Sequence, residues 1–169
     1  MNTGIRAADT PYVILLNNDT EADEYYVAEM VRAIERSPKI FSVSSRMIQM
    51  YHPELMDDAG DMYCILGWAY QRGVGQSVRK YSHSRRVFSA CAGAAIYRRE
   101  VFEKIGYFDE MHFAYLEDLD VATGPESSDT TMYTARRPLC AMWEAEPAVP
   151  NNNSFKVKAG GQEQRILKL

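Results

Sequence analysis

The sequence predicts an α/β domain, a mostly parallel sheet flanked by helices, and three observations carry that prediction. Tyr12-Val13-Ile14-Leu15-Leu16 is an unbroken apolar run that stops in Asn17-Asn18-Asp19-Thr20, the signature of a strand buried on both faces with a polar tip. A helical pattern follows at once, with Val27, Met30, Val31 and Ile34 at i, i+3, i+4 and i+7. Phe41, Val43 and Ser45 then alternate with Ser42 and Ser44, which reads as a second strand. Open sheets of this class bind ligands just beyond the carboxyl ends of their strands. Asp19 stands at such an end; a plain polar turn after a core strand is the competing reading.

Length and composition set the bounds. A chain of 169 residues, 46% hydrophobic, can bury the core of one domain. Nineteen basic against 23 acidic residues leave a net charge of −4, which speaks against a general nucleic-acid binder, because a phosphate backbone demands clustered positive charge. Cys64, Cys91 and Cys140 are widely spaced, with no CxxC, so neither a disulfide framework nor a zinc site is expected, and a reducing, cytoplasmic setting fits. No apolar run approaches the ~20 residues of a membrane span.

Taken in order, residues 2–8 read as the tail of a helix, and because a buried strand needs neighbours, preceding strands are expected outside this chain. After Asp19, Thr20 or Asp23 can cap a helix reaching about Arg36, with Glu21, Asp23 and Glu24 in its first turn. Ser37-Pro38 ends it. Residues 51–86, punctuated by Pro53, Gly60, Gly67, Gly73 and Gly75, hold no sustained period and read as a long excursion over the sheet with short hairpins. Its basic end, residues 79–86, can face substrate phosphates or an anionic membrane surface, against the plainer reading of a solvated loop. Val87 to Ala92 returns to strand character and runs into Gly93-Ala94-Ala95, small residues that imply close approach of a substrate or a packed helix. Arg98 to Ile105 is a short helix with Gly106 just past its end.

Beyond Gly106, aromatics and carboxylates interleave up to Glu117, Asp118 and Asp120. If Asp19 and the Glu117-Asp118 pair open on one cleft, one carboxylate can hold a divalent cation against phosphate oxygens while the other accepts a proton. An acidic helix start, favoured by the helix dipole, is the structural alternative for Glu117-Asp118.

Residues 15–20 (Leu-Leu-Asn-Asn-Asp-Thr), Asp57-Asp58-Ala59-Gly60, Arg72-Gly73 with Gly75, residues 93–99, residues 106–110 and residues 113–120 occur in that order. Together this set resembles the family 2 glycosyltransferases, especially their rhamnosyltransferase-like branch. The resemblance implies a partial GT-A fold and an inverting transfer from a nucleotide-sugar donor to a glycan or lipid-linked acceptor, with a divalent cation, Mg or Mn. It implies a cytoplasmic enzyme, at the inner face of the membrane if peripherally associated. By the same resemblance Asp19 is the metal ligand and, with Asn18, meets the donor diphosphate. Asp118 is the base, Glu117 orients the acceptor beside it, and Gly93, Ala94 and Ala95 line the acceptor side.

Two departures divide the chain. The strands that bind the nucleoside in this family would precede Met1, so residues 1–122 correspond to the central and acceptor-side part of the catalytic domain. Residues 123–150 show neither helical nor strand period and are expected to be irregular and exposed; residues 151–169 are a short family-like stretch and then an aberrant tail. Compensating frameshifts would explain this: Met142-Trp143 have single codons, and read from the third base they force the Val-Gly of the missing family segment. An intact frame near codon 123 and between codons 158 and 159 would dispose of the idea. As a fragment the chain is expected to be weak or inactive alone, and a noncatalytic remnant or interaction module of the same fold is the alternative to an enzyme. A nucleotidyltransferase also fits Asp19 but explains neither Gly93-Ala94-Ala95 nor Glu117-Asp118.

Overall fold

The computed structural model of the chain describes residues 1–111, 117–123, 130–142 and 164–168. In its main sheet β1 (Tyr12–Asn17) pairs antiparallel on one side with β8 (Ala94–Arg98) and on the other with the edge strand β10 (Gln164–Lys168). Beyond β8 come β3 (Ile40–Gln49), β9 (Thr131–Met142) and the short β2 (Thr20–Ala22). Two small strands hang off this path, β4 (Met56–Asp58) on β3 and β7 (Arg86–Val87) on β9. A separate hairpin is made by β5 (Asp61–Tyr63) and β6 (Ala69–Gln71).

Period-two alternation in β1 divides the core into two layers. Val13 and Leu15 face a cluster with Ile5, Phe41, Tyr97, Phe102, Phe108 and Val121, supplied in part by α1 (Asn2–Ala7), α3 (Arg99–Ile105) and α4 (Glu117–Thr123). Ile14 faces the other side, with Met30, Ile34, Val43 and Ile96, under α2 (Tyr26–Ile34). The α/β class and the helix-flanked sheet are as the sequence predicts. The strand directions are not mostly parallel: among the described strands only the β3–β9 pair is parallel, because antiparallel β8 lies between β1 and β3. Burial on both faces comes from helices on both sides of the sheet, and it leaves the same apolar signature whichever way the neighbouring strand runs.

Local chemistry explains the boundaries. Asp23 stops the chain from continuing β2: its Oδ1 accepts the Tyr25 N–H at 2.8 Å and its carbonyl accepts the Tyr26 N–H at 2.9 Å, so α2 starts later than the capping pattern suggests. Gly106 closes α3 with φ +99°, a conformation that costs a glycine little. The strand expected over Val87–Ala92 is only β7, and a bend follows it before β8.

The expectation of an irregular 123–150 is corrected at 131–142, where β9 runs parallel to β3. The backbone groups on that edge of β3 need partners wherever they are buried, and Thr131, Tyr133 and Thr134 have the β-branched and aromatic character that suits a sheet. Pro138, which cannot donate, sits where the register shifts between Ser44, Arg46 and Met47. The remainder of that stretch falls outside the described residues, apart from Thr123 at the end of α4 and Thr130.

The aromatic nucleus under α3 carries a testable part of the stability. Phe102 is fully buried, edge-on to Phe41 at 5.2 Å and stacked on Tyr107 at 5.9 Å. Phe102→Leu is expected to lose about 1–2 kcal/mol, read from the urea midpoint with unchanged slope.

Candidate active site

The end of β1 and the corner after the bend at 88–92 form one wall. Asn17 donates its backbone N–H to the Gly93 carbonyl at 2.8 Å. A Cβ on Gly93 would lie 3.2 Å from Asn17 Nδ2 and 3.5 Å from Cys91 Sγ, so a larger residue there needs the Asn17 amide to give by a few tenths of an ångström. Asn18 is exposed and Asp19 is half-buried just past this corner, and Thr20 Oγ1 donates to the Asn17 carbonyl at 2.7 Å, tightening the turn. Ala94 and Ala95 lie fully buried in β8, opposite Leu16 and Leu15. Complete burial keeps both side chains from lining an open surface, against the expectation that they line the acceptor side.

The same corner holds Asp118. Its Oδ2 accepts the Ala92 N–H at 3.4 Å, and its Oδ1 accepts the Leu119 N–H at 2.8 Å in the first turn of α4. Hydrogen bonds from Ala92 and Leu119 favour the carboxylate. Burial, and after it Glu117, oppose them and win, so the Asp118 pKa is raised. Glu117 is half-buried, and its Oε2 has no hydrogen-bond partner among the described residues. Asp19 and Asp118 are thus joined through one short segment: Asn17 touches Gly93, and Ala92 holds Asp118. His112 and residues 113–116 lie outside the described residues.

Two carboxyls to which sequence reasoning gave no role complete the wall. Asp58, at the end of β4, is fully buried. Its Oδ2 accepts the Gly60 N–H at 3.1 Å, while its Oδ1 has no partner among the described residues. Burial, then Asp61, push its pKa up to about 8, with smaller contributions from Asp57 and Asp118. Asp61 is 8% exposed, and burial followed by Asp118 raises it to about 7. Backbone hydrogen bonds hold Asp61 against Ser89: its N–H donates to the Ser89 carbonyl at 3.0 Å. The turn between the two acids needs Gly60, whose φ is +86° and where a Cβ would strike Val87 Cγ1 at 2.8 Å. Asp57-Asp58-Ala59-Gly60 was visible as a motif, but polar residues around a glycine read as surface loop; only burial reveals their electrostatics. The Cys91 thiol is pushed up by burial and then by Asp58 and Asp118, which removes it as a nucleophile.

A sheet layered between helices, with Asp19 following β1 and Asp118 held at the corner beside Gly93, is a mixed α/β arrangement consistent with part of a GT-A fold. The sequence model of Glycosyl transferase family 2 matches residues 1–106, and the chain belongs to that family. No curated protein matches the chain. The matched region contains Asp19, Asp58, Asp61 and Gly93–Ala95, and ends before Glu117 and Asp118. Family 2 enzymes in general take nucleotide-sugar donors and often a divalent cation.

Proposed function

We propose that this chain carries the acceptor half of an inverting glycosyltransferase of the rhamnosyltransferase-like branch, which moves a sugar from a nucleotide-sugar to a hydroxyl of a glycan or lipid-linked acceptor. The observation that supports it best is the placement of Asp118, a half-buried carboxylate held by Ala92 and Leu119 on the wall that Gly93 shares with Asn17. In this reading Asp118 takes the proton of the acceptor hydroxyl as that oxygen bonds to the anomeric carbon, and the bond to the donor diphosphate breaks on the opposite face. Glu117 orients the acceptor, and Gly93 keeps the wall open beside it. The motifs at 93–99 and 113–120 support the rhamnosyltransferase-like branch. Frameshifts after about residue 122 have to accommodate a paired β9, and DNA sequence across codon 123 tests them.

The donor side fits a divalent cation of one kind. Among the described residues no three His, Cys, Asp or Glu side chains gather as a ligand set, and Asp19 brings a single carboxylate. That suits Mg or Mn taking most of its ligands from diphosphate oxygens and water, with Asp19, and Asn18 beside it, meeting the assembly. When bound, such a cation offsets charge on the leaving diphosphate. Calorimetry with a nucleoside diphosphate and Mn²⁺ is expected to show binding that Asp19→Ala weakens at least tenfold, while Mn²⁺ alone gives no heat. Absence of heat with both present would favour the noncatalytic remnant.

A further inference from the structure

The β5–β6 hairpin breaks the usual chemistry of a turn. Cys64 and Trp68 close it (Cys64 N–H to the Trp68 carbonyl, 2.9 Å), and Gly67, at φ +89°, donates to the Cys64 carbonyl at 2.9 Å. The two central positions of that turn, where Asn, Asp, Ser or Gly are normal, are Ile65 and Leu66. Ile65 is 100% exposed, Leu66 81% and Trp68 72%. A β-branched residue and a leucine at an exposed tip are not needed for the fold.

The hairpin base carries several cations, beside the buried acids Asp61 at the start of β5 and Asp58 near Arg72. From residue 62 to residue 99 the sequence contains no acid, although the whole chain is acidic at −4. Arg72, next after β6, lies over the Tyr81 ring at 4.7 Å. A Cβ on Gly73 would come within 3.1 Å of that ring, so the single helical turn Val78–Tyr81, which carries Arg79 and Lys80, is clamped to the hairpin base. Arg85 adds like charge facing Arg72. Among the described residues none of these cations forms an ion pair. An exposed apolar tip with cations near its base matches a bilayer with anionic headgroups, in which the tip would enter the interface, Trp68 and Tyr70 would sit at headgroup depth, and the cations would meet phosphates.

We infer that the hairpin tip Ile65-Leu66, with Trp68 and the cations Arg72, Arg79 and Lys80 at its base, docks this protein on an anionic lipid membrane surface. β5 begins at Asp61, in the wall beside Asp118, so a docked hairpin would bring that wall to the bilayer. That last step, and with it a lipid-linked acceptor, rests on the glycosyltransferase reading; membrane docking itself does not.

Co-sedimentation with phosphatidylglycerol/phosphatidylcholine vesicles, read without any sugar transfer, tests it. Binding is expected to anionic vesicles, to fall at least tenfold on pure phosphatidylcholine, and to fall as salt rises. Ile65→Asp with Leu66→Asp should reduce it at least tenfold with an unchanged thermal melt. Arg79→Glu with Lys80→Glu should reduce it and flatten the salt dependence. Inorganic phosphate at matched ionic strength should not displace the protein. Displacement by phosphate, equal binding to neutral vesicles, or indifference to the tip substitutions overturns the proposal. So does sedimentation velocity showing a dimer that Ile65→Asp with Leu66→Asp dissolves, which assigns the tip to a second copy. Nucleoside diphosphate binding measured on the same variants separates failure here from failure of the transferase reading.

Discussion

Asp118→Asn is expected to lower transfer turnover by about 10²–10⁴-fold, roughly 3–5 kcal/mol of barrier, while nucleoside diphosphate binding stays unchanged. The amide keeps an acceptor oxygen for the Ala92 and Leu119 N–H groups but cannot take a proton. Geometry is thereby separated from basicity. Retained turnover in Asp118→Asn, with folding intact, would remove the residue from the reaction.

The pH profile gives a second view of the same group. A base must be ionised, and burial with Glu117 raises the Asp118 pKa above 3.8, so activity falls as pH falls through that raised value. Glu117 is the main charged neighbour that raises it, so Glu117→Gln should move the acid limb of the rate profile to lower pH.

Much of the scaffold could be read directly from residue order. Tyr12 to Leu16 read as a doubly buried strand because no polar residue interrupts it, and the α2 face read correctly from Met30 and Ile34. The order of the motifs pointed to the family. Strand direction did not follow, since Ala94 and Ala95 look the same in a parallel or an antiparallel neighbour. Ile65 and Leu66 carried no sign of exposure, because an apolar pair in sequence reads as core; only the turn closed by Gly67 puts them at a tip. Asp58 and Asp61 were obscured for the opposite reason, polar residues in a glycine-punctuated stretch whose burial depends on Ser89 and Val87, distant in sequence. Asp19 and Asp118 stand at element ends, a local feature that residue order displays, so their positions could be read there; the part each plays belongs to the proposal. The electrostatic half of the site, at Asp58 and Asp61, could not, because desolvation is a property of packing.

That buried half should dominate the stability of the domain at alkaline pH. Unfolded, Asp58 ionises near 3.8; folded, it holds its proton to about 8. Below 3.8 both states are protonated and the group favours neither. Between 3.8 and 8 only the unfolded state releases the proton, so stability falls with rising pH by up to about 1.4 kcal/mol per unit, a total on the order of 5 kcal/mol. Asp61, raised to about 7, adds a second loss over a similar window, and Arg72, which faces Asp58, offsets part of the burden once Asp58 ionises. Asp58→Asn removes the first loss and keeps an oxygen for the Gly60 N–H. Urea midpoints at pH 4.5, 6, 7.5 and 9 should show the variant close to the parent at pH 4.5 and clearly more stable at pH 9, with the Asp61 slope remaining. Parallel curves for the two proteins would mean that Asp58 ionises as easily folded as unfolded, which its complete burial and unpartnered Oδ1 argue against.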